Sequence, residues 1–173
     1  ALRGGLRADL FTYDVLDRKT SVTLPDGAKT TSVYSIDEDN SGYTCFKTLE
    51  TDPLNSNKET YTDIRNRTRA VKDEGPNGGI WTDFRYNLMS ELLRVTDNGS
   101  NVTEYTYDQL GRRLSVQHPD AGLKEFEYDL VGNLIAKTTP NTREDNQSIK
   151  YTYEFERLVQ IDYPKNYQNM VRY

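Results

Sequence analysis

The residue types that most often carry catalysis are sparse in this sequence. His118 is the only histidine and Cys45 the only cysteine among 173 residues. A cysteine nucleophile needs a base that lowers its pKa, and a histidine base needs a nucleophile or an acid beside it. His118 instead precedes a turn at Pro119-Asp120, and Cys45 lies in a strand-like stretch. We therefore expect that the chain is not an enzyme, and we predict no catalytic residue and no cofactor.

One acidic segment has part of the spacing of a calcium-binding loop. Asp37, Asp39 and Ser41 could offer oxygen ligands at alternate positions, and Gly42 follows where such loops turn sharply. Position 12 of the pattern is Thr48, whereas a calcium loop requires a bidentate glutamate there. We interpret the segment as an acidic, solvated turn and predict no metal site.

Three arginines alternate along the chain at the spacing of a β-strand. On a strand, Arg65, Arg67 and Arg69 would share one face, because side chains two residues apart point the same way. Guanidinium groups bind sulfate, phosphate and carboxylate well, so this face is a candidate contact for an anion or a glycan. The alternative is that these arginines pair across strands with some of the 27 acidic residues.

Composition limits both the partners and the architecture. The net charge of -5 disfavours nucleic-acid binding, which needs a basic surface. The sequence contains no apolar run long enough to span a membrane as a helix. Hydrophobic residues make up 35% of the chain, and 13 of them are tyrosines, which suit a half-buried pleated surface. The composition favours a β-sheet with little interior.

Internal repetition is the strongest signal in the sequence. The best copy contains Tyr107, Asp108, Gly111 and Arg112 in an arrangement that returns twenty-one residues later. That second copy carries Tyr128, Asp129 and Gly132, with asparagine in place of the arginine. More divergent copies carry Tyr13 with Asp14, Tyr34, Tyr61 with Asp63, Tyr86, and Tyr153. The seven anchor tyrosines are 21, 27, 25, 21, 21 and 25 residues apart.

Each copy has the pattern of a β-hairpin. Tyr105 and Tyr107 lie two residues apart and so share one face of a strand. Asp108 can bond to nearby backbone amides and start a turn, and Gly111 can adopt the positive φ that such a turn needs. The repeat therefore predicts an all-β fold of about seven tandem hairpins in an antiparallel sheet.

A helix is the competing interpretation for one segment. Trp81, Phe84, Leu88 and Leu92 fall on a helical stripe. We favour a hairpin there, because the copies on both sides share its register. In that interpretation Asn87 takes the position of the turn aspartate.

The segment from Tyr107 to Leu114 resembles the YD repeat, Tyr-Asp-x-x-Gly-Arg-x-Leu. That repeat is found in bacterial Rhs proteins, in the B and C subunits of insecticidal toxin complexes, and in teneurins. The resemblance covers nearly the whole chain and is loosest over residues 34–60. It implies a sheet that spirals into a hollow shell, and in bacterial members the shell encloses a toxic C-terminal polypeptide. It also implies that the repeat residues form a framework, and that the protein is secreted or on a bacterial cell surface.

These observations lead to two alternative functions. In the first, residues 1–173 are one YD/Rhs-repeat segment that forms a non-catalytic wall, with the rest of the shell and the enclosed polypeptide as partners. In the second, the segment is a carbohydrate-binding or cell-adhesion surface of exposed aromatic rings and the arginine face. About fourteen strands would span about 65 Å and must curl as they twist. Neither end has an evident cap, so we expect a fragment of a larger shell, with edge-to-edge self-association also open to it.

Overall fold

The structure, a computed structural model, describes residues 8–144, 146–164 and 171–172. Over these residues the chain forms fifteen β-strands, a 3-10 turn at Pro76–Gly78 and a short helix, α1, at Pro140–Glu144. The strands are β1 Leu10–Tyr13, β2 Lys19–Thr23, β3 Lys29–Glu38, β4 Thr44–Thr51, β5 Asn57–Thr62, β6 Thr68–Asp73, β7 Ile80–Tyr86, β8 Leu92–Thr96, β9 Val102–Tyr107, β10 Arg113–His118, β11 Gly122–Tyr128, β12 Leu134–Thr138, β13 Ile149–Glu154, β14 Arg157–Asp162 and β15 Val171–Arg172. The predicted all-β class is confirmed.

The strands are arranged as an antiparallel meander within two compact units. The first unit comprises the described residues up to Phe84 together with Asp97–Gly99, and the second comprises Arg85–Thr96 and the described residues from Ser100 onward. In each unit, strands that follow one another along the chain pair side by side. Short connections favour this order, because antiparallel neighbours can be joined by a tight turn.

One turn geometry recurs at eight connections of the described chain. The first residue's N–H donates to the carbonyl four residues later, and the fourth residue's N–H donates back to the first residue's carbonyl. The fourth residue has a positive φ, as in a type I turn followed by a left-handed residue. These turns begin at Asp14, Leu24, Asp39, Asp52, Asp63, Asn87, Asp108 and Asp129. The left-handed residues are Asp17, Gly27, Gly42, Asn55, Asn66, Ser90, Gly111 and Gly132.

The hairpin interpretation of residues 80–96 is confirmed, and the helix is excluded. A turn follows β7, and Asn87 Oδ1 accepts the backbone N–H groups of Met89 at 2.9 Å and Glu91 at 3.0 Å. Ser90 has a φ of 67° at the position where other repeats carry glycine. The helical stripe is therefore a coincidence of spacing across two strands.

The interior is thin, as the composition predicted. In the first unit, Cys45, Tyr61 and Ala70 form a buried cluster against which Trp81 packs. In the second unit, Ala136 is the buried apolar side chain among the described residues. The described residues include no large side chain that is fully buried.

Two repeats depart from the predicted pattern. Tyr34 lies in the middle of β3, so it does not precede a turn; the turn of that hairpin begins at Asp39. This hairpin has the longest strand of the described chain, the ten-residue β3, which displaces the turn from its anchor tyrosine. The connection after β13 is a tighter turn in which Phe155 and Glu156 both have positive φ. It contains no aspartate at its start, so Tyr153 lacks the Asp that directly follows Tyr13, Tyr107 and Tyr128.

Candidate functional site

The Tyr-Asp-x-x-Gly-Arg motif folds into a self-contained turn. Asp108 Oδ1 accepts the backbone N–H groups of Leu110 and Arg112, each at 2.9 Å. Its Oδ2 accepts the Arg112 Nε–H at 2.6 Å. The carboxylate therefore caps two backbone donors and holds the arginine that ends the turn. Gly111, with a φ of 78°, supplies the left-handed residue.

The same arrangement recurs with substitutions at other anchors. Asp14 bonds to Arg18, and Asp63 bonds to Arg67, each through the same backbone and side-chain donors. In the next repeat Asn133 takes the place of the arginine and donates its side-chain amide to Asp129 at 2.9 Å. The turn therefore requires the aspartate as acceptor more strictly than it requires the arginine.

Hydrogen bonding lowers the pKa of these aspartates. Partial burial of Asp63 and Asp108 acts to raise the pKa of each carboxyl group, and it is the largest single influence. The backbone and guanidinium donors of Arg67 and Arg112 together outweigh it, so each pKa lies below its ordinary value. Both carboxylates are therefore ionised at neutral pH, and their negative charge strengthens the hydrogen bonds of the turn.

Anchor tyrosines connect one hairpin to the preceding one. The hydroxyl groups of Tyr34, Tyr107 and Tyr128 each donate to a carbonyl oxygen fifteen residues earlier. The three acceptors are the carbonyls of Lys19, Leu92 and Arg113, at 2.8, 2.9 and 3.0 Å, and each is the first residue of its strand. Tyr34 therefore contacts the previous hairpin as an anchor does, although its own turn is displaced.

The turn arginine completes this connection. The guanidinium group of Arg112 lies 5.0 Å from the ring centre of Tyr128, and its Nη1 donates to the carbonyl of Asp129 at 2.8 Å. Arg18 lies 4.4 Å from the ring centre of Tyr34 in the same way. Each such arginine thus binds the aspartate of its own turn and the aromatic ring of the next hairpin.

The other anchor tyrosines have different surroundings. Tyr13 ends β1, directly before Asp14, and its side chain is exposed. Tyr86 ends β7, and Tyr153 pairs with Leu158 on β14. Tyr61 stands two residues before Asp63, so it occupies a different register from Tyr107 and is buried. The repeat alignment placed Tyr61 among the anchors, but it packs into the small core.

Tyr61 is the centre of a charged aromatic cluster in the first unit. Its ring lies 5.4 Å from that of Trp81, and its hydroxyl donates to Glu59. The ammonium group of Lys47 bonds to Glu59 at 3.0 Å, and Lys72 lies 3.7 Å from the same carboxylate. Burial, with the hydrogen bond to Glu59, raises the pKa of Tyr61 to about 12. The cluster's charges are matched internally, an arrangement that stabilises the sheet.

The predicted arginine face is wrong, because a turn interrupts it. Arg65 lies within the turn from Asp63, and Arg67 closes that turn by bonding to Asp63 at 2.8 and 2.7 Å. Of the three arginines, Arg69 is on strand β6, and its Nε donates to Asp39 at 2.9 Å. The alternative of pairing across strands describes Arg69, whereas Arg67 pairs with an aspartate of its own turn. Contact of these residues with an anion or a glycan stays a prediction. A shared strand face no longer supports it.

Asp39 differs from the solvated turn that the sequence suggested. Its side chain is buried and accepts the backbone N–H groups of Ser41 and Tyr43 together with Arg69 Nε. Arg69 also lies 4.1 Å from the ring centre of Tyr43. Among the described residues, no three His, Cys, Asp or Glu side chains form a group that could hold a metal ion.

Sequence reasoning missed a small residue seven positions after the turn aspartate. Each of these small residues pairs, on the neighbouring strand, with the residue that lies two positions before the aspartate. They are Ser21, Ala70, Ser115 and Ala136. In two repeats the pair is hydroxylic: Thr106 Oγ1 and Ser115 Oγ are 2.7 Å apart, as are Thr12 Oγ1 and Ser21 Oγ. The recurrence of serine or alanine seven positions after Asp14, Asp63, Asp108 and Asp129 is visible in the sequence.

The fold and its turns define a class of protein, and comparison with known proteins assigns one of the repeats to a family. The class is a meander of tandem β-hairpins whose aspartate-capped turns recur. Residues 91–123 match the model of the RHS repeat, so the resemblance based on Tyr107 to Leu114 is confirmed. None of the curated proteins matches the chain.

Solved structures show the same fold at low sequence identity. TcdB2-TccC3-Cdc42 has a TM-score of 0.67 and 17% identity over 94% of this chain. TcdB2-TccC3-TEV has a TM-score of 0.66 and 18% identity over 91% of this chain. The Photorhabdus luminescens Tc holotoxin pore with a TccC3 mutation has a TM-score of 0.66 and 16% identity over 91% of this chain. This chain spans 9% of the length of each of these chains.

Proposed function

We propose that the chain is part of the wall of an Rhs-repeat shell and has no catalytic activity of its own. The observation that carries the proposal is the repeated link between hairpins, in which a tyrosine hydroxyl meets a carbonyl fifteen residues earlier. This link positions the hairpins of Tyr34, Tyr107 and Tyr128 relative to their predecessors, as a continuous wall requires. The similarity in fold to Tc toxin structures supports the same role.

The proposed mechanism is confinement of a polypeptide. The wall would join the remainder of its own shell and keep an enclosed C-terminal polypeptide away from proteases until release. A wall of this kind needs little apolar interior, because antiparallel ladders satisfy the backbone hydrogen-bonding groups of each strand. One of the similar structures is a Tc holotoxin pore, which supports a toxin as the enclosed polypeptide and a secreted or bacterial surface location. No helix in the described residues has the length and apolarity to cross a membrane.

Limited proteolysis tests the proposal directly. The longest natural reading frame containing this segment is digested under native conditions and again after mild unfolding, and the fragments are identified by mass spectrometry. We expect a downstream segment that stays intact under native conditions and is cut after unfolding. The same segment expressed alone is the control, and it should be cut at once. Immediate cleavage of every downstream segment in the native protein would contradict a closed container.

A further inference from the structure

One edge of the second unit carries a row of exposed apolar side chains. Strands β8, β10, β12 and β14 all begin at this edge, and the turn before each of them projects there. The exposed fractions of the apolar side chains at these four turns lie between 72% and 104%. The tip row consists of Leu88, Met89, Leu110, Leu130, Val131 and Phe155.

The opposite ends of the same strands have a different character. The connection between β10 and β11 runs through Pro119, Asp120 and Ala121, and the one between β12 and β13 contains helix α1. None of the described residues in these two connections is an exposed large hydrophobic residue. Within the second unit, the exposed apolar side chains at these turns therefore lie along one edge.

The tip row is regular and held in place. Neighbouring tips are two strands apart, so they are spaced by about 10 Å, and four tips cover about 30 Å. The side chains of Asn87, Asp108 and Asp129 fix the backbone of three of these turns through bonds to their amide groups. Because the tips are already ordered, burying them costs little additional conformational entropy.

The apolar area matches what one partner contributes to a stable interface. A fully exposed side chain of this size offers about 100 Å² of apolar surface, so six offer about 600 Å². A standard interface buries about 800 Å² on each side, and about 60% of that area is apolar. A contiguous exposed patch of this size is typical of an interaction site.

We propose that the tip row is a self-association surface through which two copies of this chain pair in antiparallel orientation. Two-fold symmetry reverses the order of the tips, so Met89 lies opposite Phe155, and Leu110 lies opposite Leu130 and Val131. Sulfur–aromatic contact favours the outer pair. The symmetry also brings Glu91, which follows the first tip, towards Arg157 of the other copy, which follows the last.

Sedimentation equilibrium on the chain tests this pairing. The 20.0 kDa chain should form a dimer with a dissociation constant on the order of micromolar, as expected for an interface of this size. The double variant Leu110→Asp/Leu130→Asp should weaken the dimer at least about tenfold, since it buries two carboxylates against apolar partners. The control is Leu54→Asp, an 87% exposed leucine in the first unit, and it should leave the dimer unchanged. Circular dichroism checks that each variant is folded.

Disulfide trapping gives a second measurement that does not rely on weakening the dimer. A mixture of Met89→Cys and Phe155→Cys proteins should form mostly the mixed disulfide, because the two-fold axis places those tips together. Cys45 is buried and so should not compete. A chain that is monomeric at hundreds of micromolar, or a dimer that the double variant leaves intact, overturns the proposal. The second result would point to pairing through strand edges. Binding of monomeric protein to phosphatidylcholine vesicles, lost in the double variant, would also overturn it in favour of a lipid surface.

Discussion

The Tyr128 hydroxyl donates a hydrogen bond to the carbonyl oxygen of Arg113, fifteen residues earlier and 3.0 Å away. The paired residues of β10 and β11 extend to Ser115 and Glu125 and stop before Arg113 and Tyr128. The tyrosine thus satisfies a carbonyl that lies beyond the end of the backbone ladder. The Tyr128 side chain therefore extends the contact between neighbouring hairpins beyond the backbone ladder, as far as the turn that follows Tyr128.

Removing this hydroxyl should destabilise the second unit. We expect Tyr128→Phe to lower the free energy of unfolding by about 1 kcal/mol, because the carbonyl loses its partner while the ring is kept. Urea denaturation measures the change. Tyr105→Phe is the matched control, since the Tyr105 hydroxyl makes no hydrogen bond within the described residues, and it should unfold as the parent does. Equal effects of the two substitutions would contradict the assigned role of Tyr128.

Gly111 should tolerate asparagine better than valine. Its φ of 78° strains a β-branched residue, so Gly111→Val should cost on the order of 1–3 kcal/mol of stability. Asparagine adopts this conformation at Asn66, the equivalent position of another repeat, so Gly111→Asn should cost clearly less. Both side chains meet Glu91 Oε1, 3.0 Å from the new Cβ, which makes the pair a matched comparison. Thermal unfolding of the two variants measures the difference.

The turn aspartates should make stability depend on acid pH. The pKa of Asp108 is lowered in the folded chain, from an ordinary 3.8, so its contribution to stability is complete above that value. That contribution is lost as pH falls below 3.8 and through the folded pKa. Asp108→Asn should therefore show a weaker loss of stability on acidification, while Asn caps the turn as Asn87 does.

Urea titrations at a series of pH values between about 7 and 3 measure this effect. Asp120→Asn is the control, because the Asp120 carboxylate receives no hydrogen bond within the described residues. It should keep the parent's pH dependence. A parent-like acid response of Asp108→Asn would show that its charge contributes nothing to the fold.

Tyr61 should ionise late in an alkaline titration. Its pKa of about 12 exceeds the ordinary 10.0, so its contribution to stability is complete below pH 10 and is lost as pH rises through 12. The phenolate absorbance of the parent should include a step near pH 12 that Tyr61→Phe lacks. Tyr105→Phe should retain that step. If the step persists in Tyr61→Phe, it belongs to another tyrosine.

The hairpins could be predicted from the sequence because their determinants are local. Asp108 and Gly111 lie within one turn, so their types and spacing are sufficient to define it. The turn at Asp39 carries the same Asp-x-x-Gly spacing, but no tyrosine directly precedes it, so the spacing of the tyrosines does not locate it. Residues that adopt a positive φ without being glycine, such as Ser90, weaken the signal elsewhere.

The candidate site was harder to predict because its contacts join distant strands. Arg69 meets Asp39 thirty residues earlier, and that pairing depends on the register of β3, β4 and β6. Arg65 and Arg67 were placed on a strand because Asn66, not glycine, occupies the left-handed position between them. Periodicity along the chain carries no information about either contact.

The fifteen-residue link has a consequence for how such a chain can change in length. Each link depends only on the hairpin before it, so one whole repeat could be duplicated or deleted while its neighbours keep their contacts. Insertion of one residue within a strand would instead move the side chains beyond it in that strand to the other face. Gene duplication in whole repeats is therefore the change that this architecture accepts, and the number of strands in the sheet follows from the number of repeats.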